Sequence, residues 1–211
     1  MLGWSVLAIA VLAGGHALGA AEHRVADAKT LAAAIARAKP GDVILMRSGT
    51  WRDTTVTFVG EGTADQPITL RAEVPGTVVL TGESSLRLGG RFLVVEGLRF
   101  EDIPHSRTIV DFRVGNRVAE DSRLTGCRIV DCNPPSKATN TKWVSLHGFR
   151  NRVDHCYLAG KTNLGTTLVV WLTDRPNDHR IDHNHFGPRP PLGENGGETI
   201  RIGTSDWSMH V

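Results

Sequence analysis

Four stretches of this chain can be laid over one another at a nearly constant spacing. Val94–Phe100 reads VVEGLRF, Arg123–Ile129 reads RLTGCRI, Arg152–Leu158 reads RVDHCYL and Arg180–Phe186 reads RIDHNHF. Their centres, Gly97, Gly126, His155 and His183, are 29, 29 and 28 residues apart. Two positions before each centre stands Val95, Leu124, Val153 or Ile181, and three positions after it Phe100, Ile129, Leu158 or Phe186. A repeat of this length made of short β-prone runs is one unit that cannot bury its own apolar face and must stack on its neighbours.

The centre position carries further information. Glycine takes positive φ freely, and histidine visits that region more than most residues do. Each centre therefore predicts a left-handed corner between two short strands, with the flanking apolar residues pointing into a shared core. Leucine-rich horseshoes have shorter repeats, and propeller blades have longer ones with antiparallel hairpins that this pattern lacks. The expected fold is all-β, a right-handed parallel β-helix with a coil period of about 28–29 residues. From Asp42 onward there is room for about six turns, a stack of roughly 29 Å at the usual strand separation.

The stretch DAKTLAAAIARAKPG supplies a lid for the first turn. Leu31, Ala34, Ile35 and Ala38 share one helical face, Asp27 is placed to cap, and Pro40-Gly41 stops the helix. No comparable cap stands near Val211, where the period calls for another corner. The expectation is that residues 22–211 are the N-terminal part of a β-helix domain whose later coils are missing.

The run WSVLAIAVLAGG is as long as a signal-peptide core and too short to span a bilayer. Small residues follow it, so residues 1–21 are expected to be a secretory signal. That places the protein in the periplasm or outside the cell, with no membrane attachment after cleavage. The net charge of +2 and interspersed acids and bases give no footprint for nucleic acid. Cys127, Cys132 and Cys156 form no zinc spacing and are expected to be buried thiols, with Cys127, Cys156 and Asn184 stacked in one register. His155, His179, His183 and His185 resemble a ligand cluster, but the corner requirement already accounts for His155 and His183.

Chemistry is expected in the loop GPRPPLGENGGE, Gly187 to Glu198. Long loops on a rigid scaffold tend to carry function. Glu194, Asn195 and Glu198 offer hard oxygen donors that suit Ca²⁺. Arg201, between Ile200 and Ile202, should point away from the core, and LAGKTNLGTT one turn earlier adds Lys161 and Asn163. Such a cation-bearing face suits an acidic polysaccharide, whose carboxylates pair with Lys and Arg. Lyase chemistry on uronates removes the proton beside the carboxylate and expels the 4-oxygen. It needs a cation, a base and an acid.

The stretches KWVSLHGFRNRVDHCYLAGKTNLGTTLVVWL and HRIDHNHFGPRPPLGENGGETIRIGTSDWSM closely resemble polysaccharide lyase family six, the alginate lyase and chondroitinase B family. The likeness runs from about Val25 to Met209. It implies a right-handed parallel β-helix, a secretory signal, and calcium-assisted β-elimination of uronate polymers. Alginate is the commoner substrate and dermatan or chondroitin sulfate the rarer. It also implies that Asn195 is a calcium ligand, with two acidic residues expected beyond Val211 as the others, while Glu198 is a further candidate on its oxygen chemistry alone. Lys161, Asn163 and Arg201 would line the substrate cleft, and Arg175 would match a substrate-contacting Arg. The family's lysine base and arginine acid match no residue here and are expected beyond Val211, so this chain alone should not cleave. The alternative expectation is a non-catalytic β-helix that binds acidic glycans.

Overall fold

The computed structural model describes residues 20–192 and 197–203. Most of the predicted signal, together with Glu194 and Asn195, lies outside them. The strands form three parallel sheets that run along one axis. The first sheet holds Glu22–Val25, Val43–Met46, Ile68–Ala72, Leu93–Glu96, Arg123–Thr125, Arg152–Asp154 and Arg180–Asp182. The second holds Gly49–Arg52, Val78–Thr81, Arg99–Glu101, Arg128–Val130, Tyr157–Ala159 and His185–Phe186. The third holds Thr55–Glu61, Ser85–Arg91, Val110–Asp111, Val144–Leu146, Leu168–Val170 and Ile200–Ile202. The chain visits the sheets in turn, making five complete coils and then a sixth set of strands. This is the parallel β-helix that the repeat predicts.

The aligned residues of the sequence are strand partners. Val95, Leu124, Val153 and Ile181 pair in register across the first sheet. Phe100, Ile129, Leu158 and Phe186 do the same across the second. These residues belong to one continuous core or pack against it. Gly97, Gly126, His155 and His183 have φ of 73°, 60°, 52° and 55°, so the predicted left-handed corner recurs in each of the four aligned coils.

Two more left-handed corners per coil escaped the sequence. Phe92, Asp121, Arg150 and Asp178 turn the chain into the first sheet. Asp53, Gly82, Asp102, Asp131 and Gly160 turn it out of the second. A non-glycine residue held at positive φ costs about 1 kcal/mol or more, and hydrogen bonds between coils offset that cost. The N–H of Leu93 donates to Ser122 Oγ, that of Ser122 to Asn151 Oδ1, and that of Asn151 to His179 Nδ1. Each coil thus caps the backbone of the one before it. At the opposite corner Asn184 Oδ1 accepts from the Cys156 N–H, while Cys127 and Cys156 are buried free thiols. The expected Cys–Cys–Asn register is therefore present.

Ala28–Arg37 is the predicted lid. Asp27 accepts from the Thr30 N–H at 2.8 Å, and Leu31, Ala34 and Ile35 are buried. Ahead of it Glu22–Val25 pairs with Val43–Met46, a strand that the sequence did not reveal. One expectation is corrected. An antiparallel hairpin, Arg113–Val114 with Arg117–Glu120, interrupts the third coil, joined by a two-residue Gly115-Asn116 turn with Gly115 at φ 58°.

Candidate active site

The outer face of the third sheet is unusual for a solenoid flank. Val110, Val144, Leu168 and Ile200 are aligned, and the first three lie in the core. Their neighbours Asp111, Ser145, Val169 and Arg201 therefore point outward. Even so, Asp111, Ser145 and Val169 are buried. Loops spanning 102–109, 131–143, 160–167 and 187–199 leave the second sheet and enter the third along one edge. The hairpin and the 171–179 segment border the other edge. The outward row is thus sunk between two borders, a candidate groove in which Arg87 and Arg201 keep partial exposure. Arg87 and Arg201 stand on this row four strands apart, roughly 19 Å at the usual strand separation.

Within the floor, Arg87 Nη1 donates to Asp111 Oδ2 at 3.0 Å, and His147 Nε2 lies 3.5 Å from Asp111 Oδ1. The His147 ring stacks on Trp171 at 5.3 Å. Burial raises the Asp111 carboxyl against the pull of Arg113 and Arg87. Burial, then the charges of Arg113 and His179, lowers His147 to about 4. A neutral imidazole beside a half-satisfied carboxylate can hold or accept hydrogen bonds from a polar ligand. Neither Asp111 nor His147 stood out in the sequence, because each is a single residue outside the repeat.

The loop edge is built around Lys161. Its Nζ donates to Thr141 Oγ1 at 2.9 Å and to Asn163 Oδ1 at 2.8 Å, and lies 5.7 Å over the Trp143 ring. Asn163 Nδ2 in turn donates to Thr139 O, Thr141 Oγ1 and Leu164 O. Both residues are essentially inaccessible, at 2% and 0% exposure. Both side chains are enclosed by the loops rather than open to solvent. They tie the 131–143 and 160–167 loops together from beneath, because a buried ammonium must find acceptors.

Arg189, which the sequence did not single out, extends this framework. Its Nη2 donates to Asn163 O at 2.6 Å and its Nη1 to Glu198 O at 2.8 Å, so one guanidinium spans two loops. Glu198 Oε1 accepts from Arg201 Nη2 at 2.8 Å, which brings Lys161, Asn163, Glu198 and Arg201 into one connected edge. Arg175 is elsewhere. It lies on the opposite border with its guanidinium 3.5 Å over the Phe149 ring. Ile200 and Ile202 are exposed because no described strand lies on their far side.

Calcium needs six to eight oxygen ligands. Among the described residues Glu198 is the acidic donor on this loop, its Oε1 is engaged by Arg201, and no group of three candidate ligands assembles. These residues do not by themselves form a calcium site.

The chondroitinase B family model matches residues 25–211. The chain belongs to the chondroitinase B family. No curated protein matches. Among solved structures, the family-six alginate lyase AlyGC is 46% identical with a TM-score of 0.84, over 88% of this chain and 26% of that one. A mannuronic acid specific family-six lyase from human gut microbiota is 37% identical with a TM-score of 0.79, over 87% and 44%. The family-six polysaccharide lyase Pedsa3628 from Pseudopedobacter saltans is 34% identical with a TM-score of 0.80, over 85% and 41%. The chain thus spans between about a quarter and under half the length of these family members.

Proposed function

We propose that this chain forms part of a polysaccharide lyase that cleaves uronate polymers by β-elimination, with alginate as the first candidate and dermatan or chondroitin sulfate as the second. The observation that carries the proposal is the covered outward row of the third sheet, with Arg87 and Arg201 at its two ends. An extended acidic chain laid along the groove would meet both guanidinium groups. Family membership and the alginate-lyase description of similar proteins support the same substrate class.

In this proposal Arg201 pairs with a substrate carboxylate, and the Lys161–Asn163–Arg189 framework holds the loops that border it. Lys161 is not the base, because its amine is enclosed and already hydrogen-bonded. We propose that the proton-abstracting base and the acid for the leaving oxygen lie outside residues 1–211, so that cleavage needs more chain. Calcium belongs to the proposal as the cation that offsets the substrate carboxylate, with Asn195 and Glu198 among its ligands. Export through the segment 1–21 belongs to it as well.

The test is ultraviolet absorbance of the unsaturated uronate product, with alginate, mannuronate-rich blocks and dermatan sulfate, with and without a calcium chelator. A version of the protein extended beyond Val211 is expected to give a chelator-sensitive rise on alginate, and residues 22–211 a flat trace. No product from the extended version on any of these polymers would refute the lyase. The second reading is a β-helix that binds acidic glycans without cleaving them. Retardation of the chain in alginate-containing gels, without product, would support it.

A further inference from the structure

The corner between the first and second sheets requires positive φ and nothing else. Gly97 and Gly126 meet that need without a side chain, but the next two coils use His155 and His183, each preceded by an aspartate. The imidazoles are arranged with more order than a corner demands. Their rings are stacked with centroids 5.0 Å apart and planes within 6°. His155 Nδ1 lies 2.9 Å from Asp154 Oδ2, and His183 Nδ1 lies 2.8 Å from Asp182 Oδ2. The carboxylates are fixed in turn, Asp154 by Arg123 and Asp182 by Arg152, each through two guanidinium nitrogens.

A carboxylate on Nδ1 settles the tautomer. The proton sits on Nδ1, and the lone pair is left on Nε2. Both histidine side chains are more than half exposed, at 56% and 63%. No protein hydrogen bond is made by either Nε2 among the described residues. Two imidazoles with free Nε2 atoms, each backed by a carboxylate, form the carboxylate–histidine arrangement that orients metal ligands.

We propose that His155 and His183 chelate one borderline divalent cation, Zn²⁺, Ni²⁺ or Cu²⁺, through their Nε2 atoms, with water completing the coordination. Imidazole prefers these ions over the hard cation expected at the groove. Two metal–nitrogen bonds of about 2.0–2.1 Å need the nitrogens within about 4 Å of each other. The rings are parallel in this structure, so their Nε2 lone pairs run side by side, and both exposed rings must turn toward each other for the two to meet on one ion. Arg123, Arg152 and Arg180 stand behind the aspartates and oppose a further positive charge, so affinity should be moderate rather than tight. The site lies at the corner between the first and second sheets, away from the groove on the third, and joins the fifth coil to the sixth.

The experiment titrates the whole chain with CuSO₄ and ZnCl₂ in the presence of excess Ca²⁺. Calorimetry gives affinity and stoichiometry, and electron paramagnetic resonance counts the nitrogens on Cu²⁺. His155→Asn and His183→Asn are suitable variants because asparagine also tolerates positive φ. One Cu²⁺ with two imidazole nitrogens is expected, and either substitution should weaken that site about tenfold or more. Unchanged affinity in both variants, or two ions of which each variant loses one, would overturn the chelate. A measurement without variants guards against misfolding: substoichiometric Cu²⁺ should broaden the ring signals of His155 and His183 together. Broadening at another histidine first would also overturn it. Neither outcome bears on lyase activity, which is read separately.

Discussion

Lys161 offers a sharp test of how the loop edge is held. Burial, then the charges of Arg189 and Lys142, lowers its amine from 10.5 to about 7. At about 1.4 kcal/mol per pH unit, that gap corresponds to about 5 kcal/mol of unfavourable ammonium burial. The sign follows from proton counting. Below pH 7 both folded and unfolded chains carry the proton, and the penalty is fully present. Between about pH 7 and about pH 10 the unfolded chain binds the extra proton, so folded stability rises with pH. In Lys161→Met this dependence disappears. Methionine also leaves Asn163 Oδ1 and Thr141 Oγ1 without the ammonium, which costs about 1–3 kcal/mol for an orphaned buried acceptor. At low pH these effects oppose one another, and the variant is expected to be close to or above wild type. From about pH 7.5 to about pH 9.5 the wild type should gain about 3 kcal/mol on the variant. Urea unfolding followed by tryptophan fluorescence at three pH values measures this directly. Parallel pH profiles would show that the Lys161 ammonium is not desolvated in the folded protein, and the reasoning would fail.

Acid should act through different groups. Burial lowers both His147 and His179 to about 4, so the unfolded chain takes up their protons first as pH falls. Stability should drop between about pH 6.5 and about pH 4, by up to about 3 kcal/mol per histidine, and thermal melts across that range will show it. Gly148→Ala should cost about 3 kcal/mol or more, because a Cβ there would lie 2.0 Å from Ala119 O at φ 80°. Gly115→Ala has open space around its Cβ at φ 58° and should cost only about 1 kcal/mol, so paired denaturation curves separate crowding from backbone strain. Asn151→Ala removes an acceptor for the Ser122 N–H and two donations to Ala119 O and His147 O. A loss of about 2–4 kcal/mol in urea unfolding is expected, and less than 1 kcal/mol would show that inter-coil capping matters little.

The stacking of the coils was legible because one corner and its two apolar neighbours recur at fixed offsets, from Val95, Gly97 and Phe100 to Ile181, His183 and Phe186. The corners at Phe92, Asp121, Arg150 and Asp178 were not, since they mix aromatic, acidic and basic residues, whereas Asp53, Gly82, Asp102, Asp131 and Gly160 are all Asp or Gly, a signal that the sequence carried. The groove was only half legible. Arg201 and Glu198 stand out in a loop of unusual composition, but alternation alone cannot say that outward residues such as Asp111 and Ser145 are covered. Lys161 misleads for a related reason. A lysine in a polar loop suggests solvent, and only the convergence of Thr141, Asn163 and Leu164 from two loops shows that it is enclosed.

The three sheets do not count residues in the same way. Along the first, Val94, Arg123, Arg152 and Arg180 follow at 29, 29 and 28, and Arg99, Arg128, Tyr157 and His185 repeat those steps along the second. Along the third, Val110, Val144, Leu168 and Ile200 are 34, 24 and 32 apart. In these four coils two flanks therefore keep one spacing and the third takes up the change of length. The earlier coils step by 26 and 25 along the first sheet and by 29 and 20 along the second. An insertion between the first and second sheets of the four coils would push a left-handed corner out of register, although the longer 73–77 connection shows that an earlier coil carries one. One in the loops entering the third sheet alters only the wall of the groove. The border of the third sheet can thus be lengthened or trimmed, coil by coil, while the other two sheets of these coils keep their spacing.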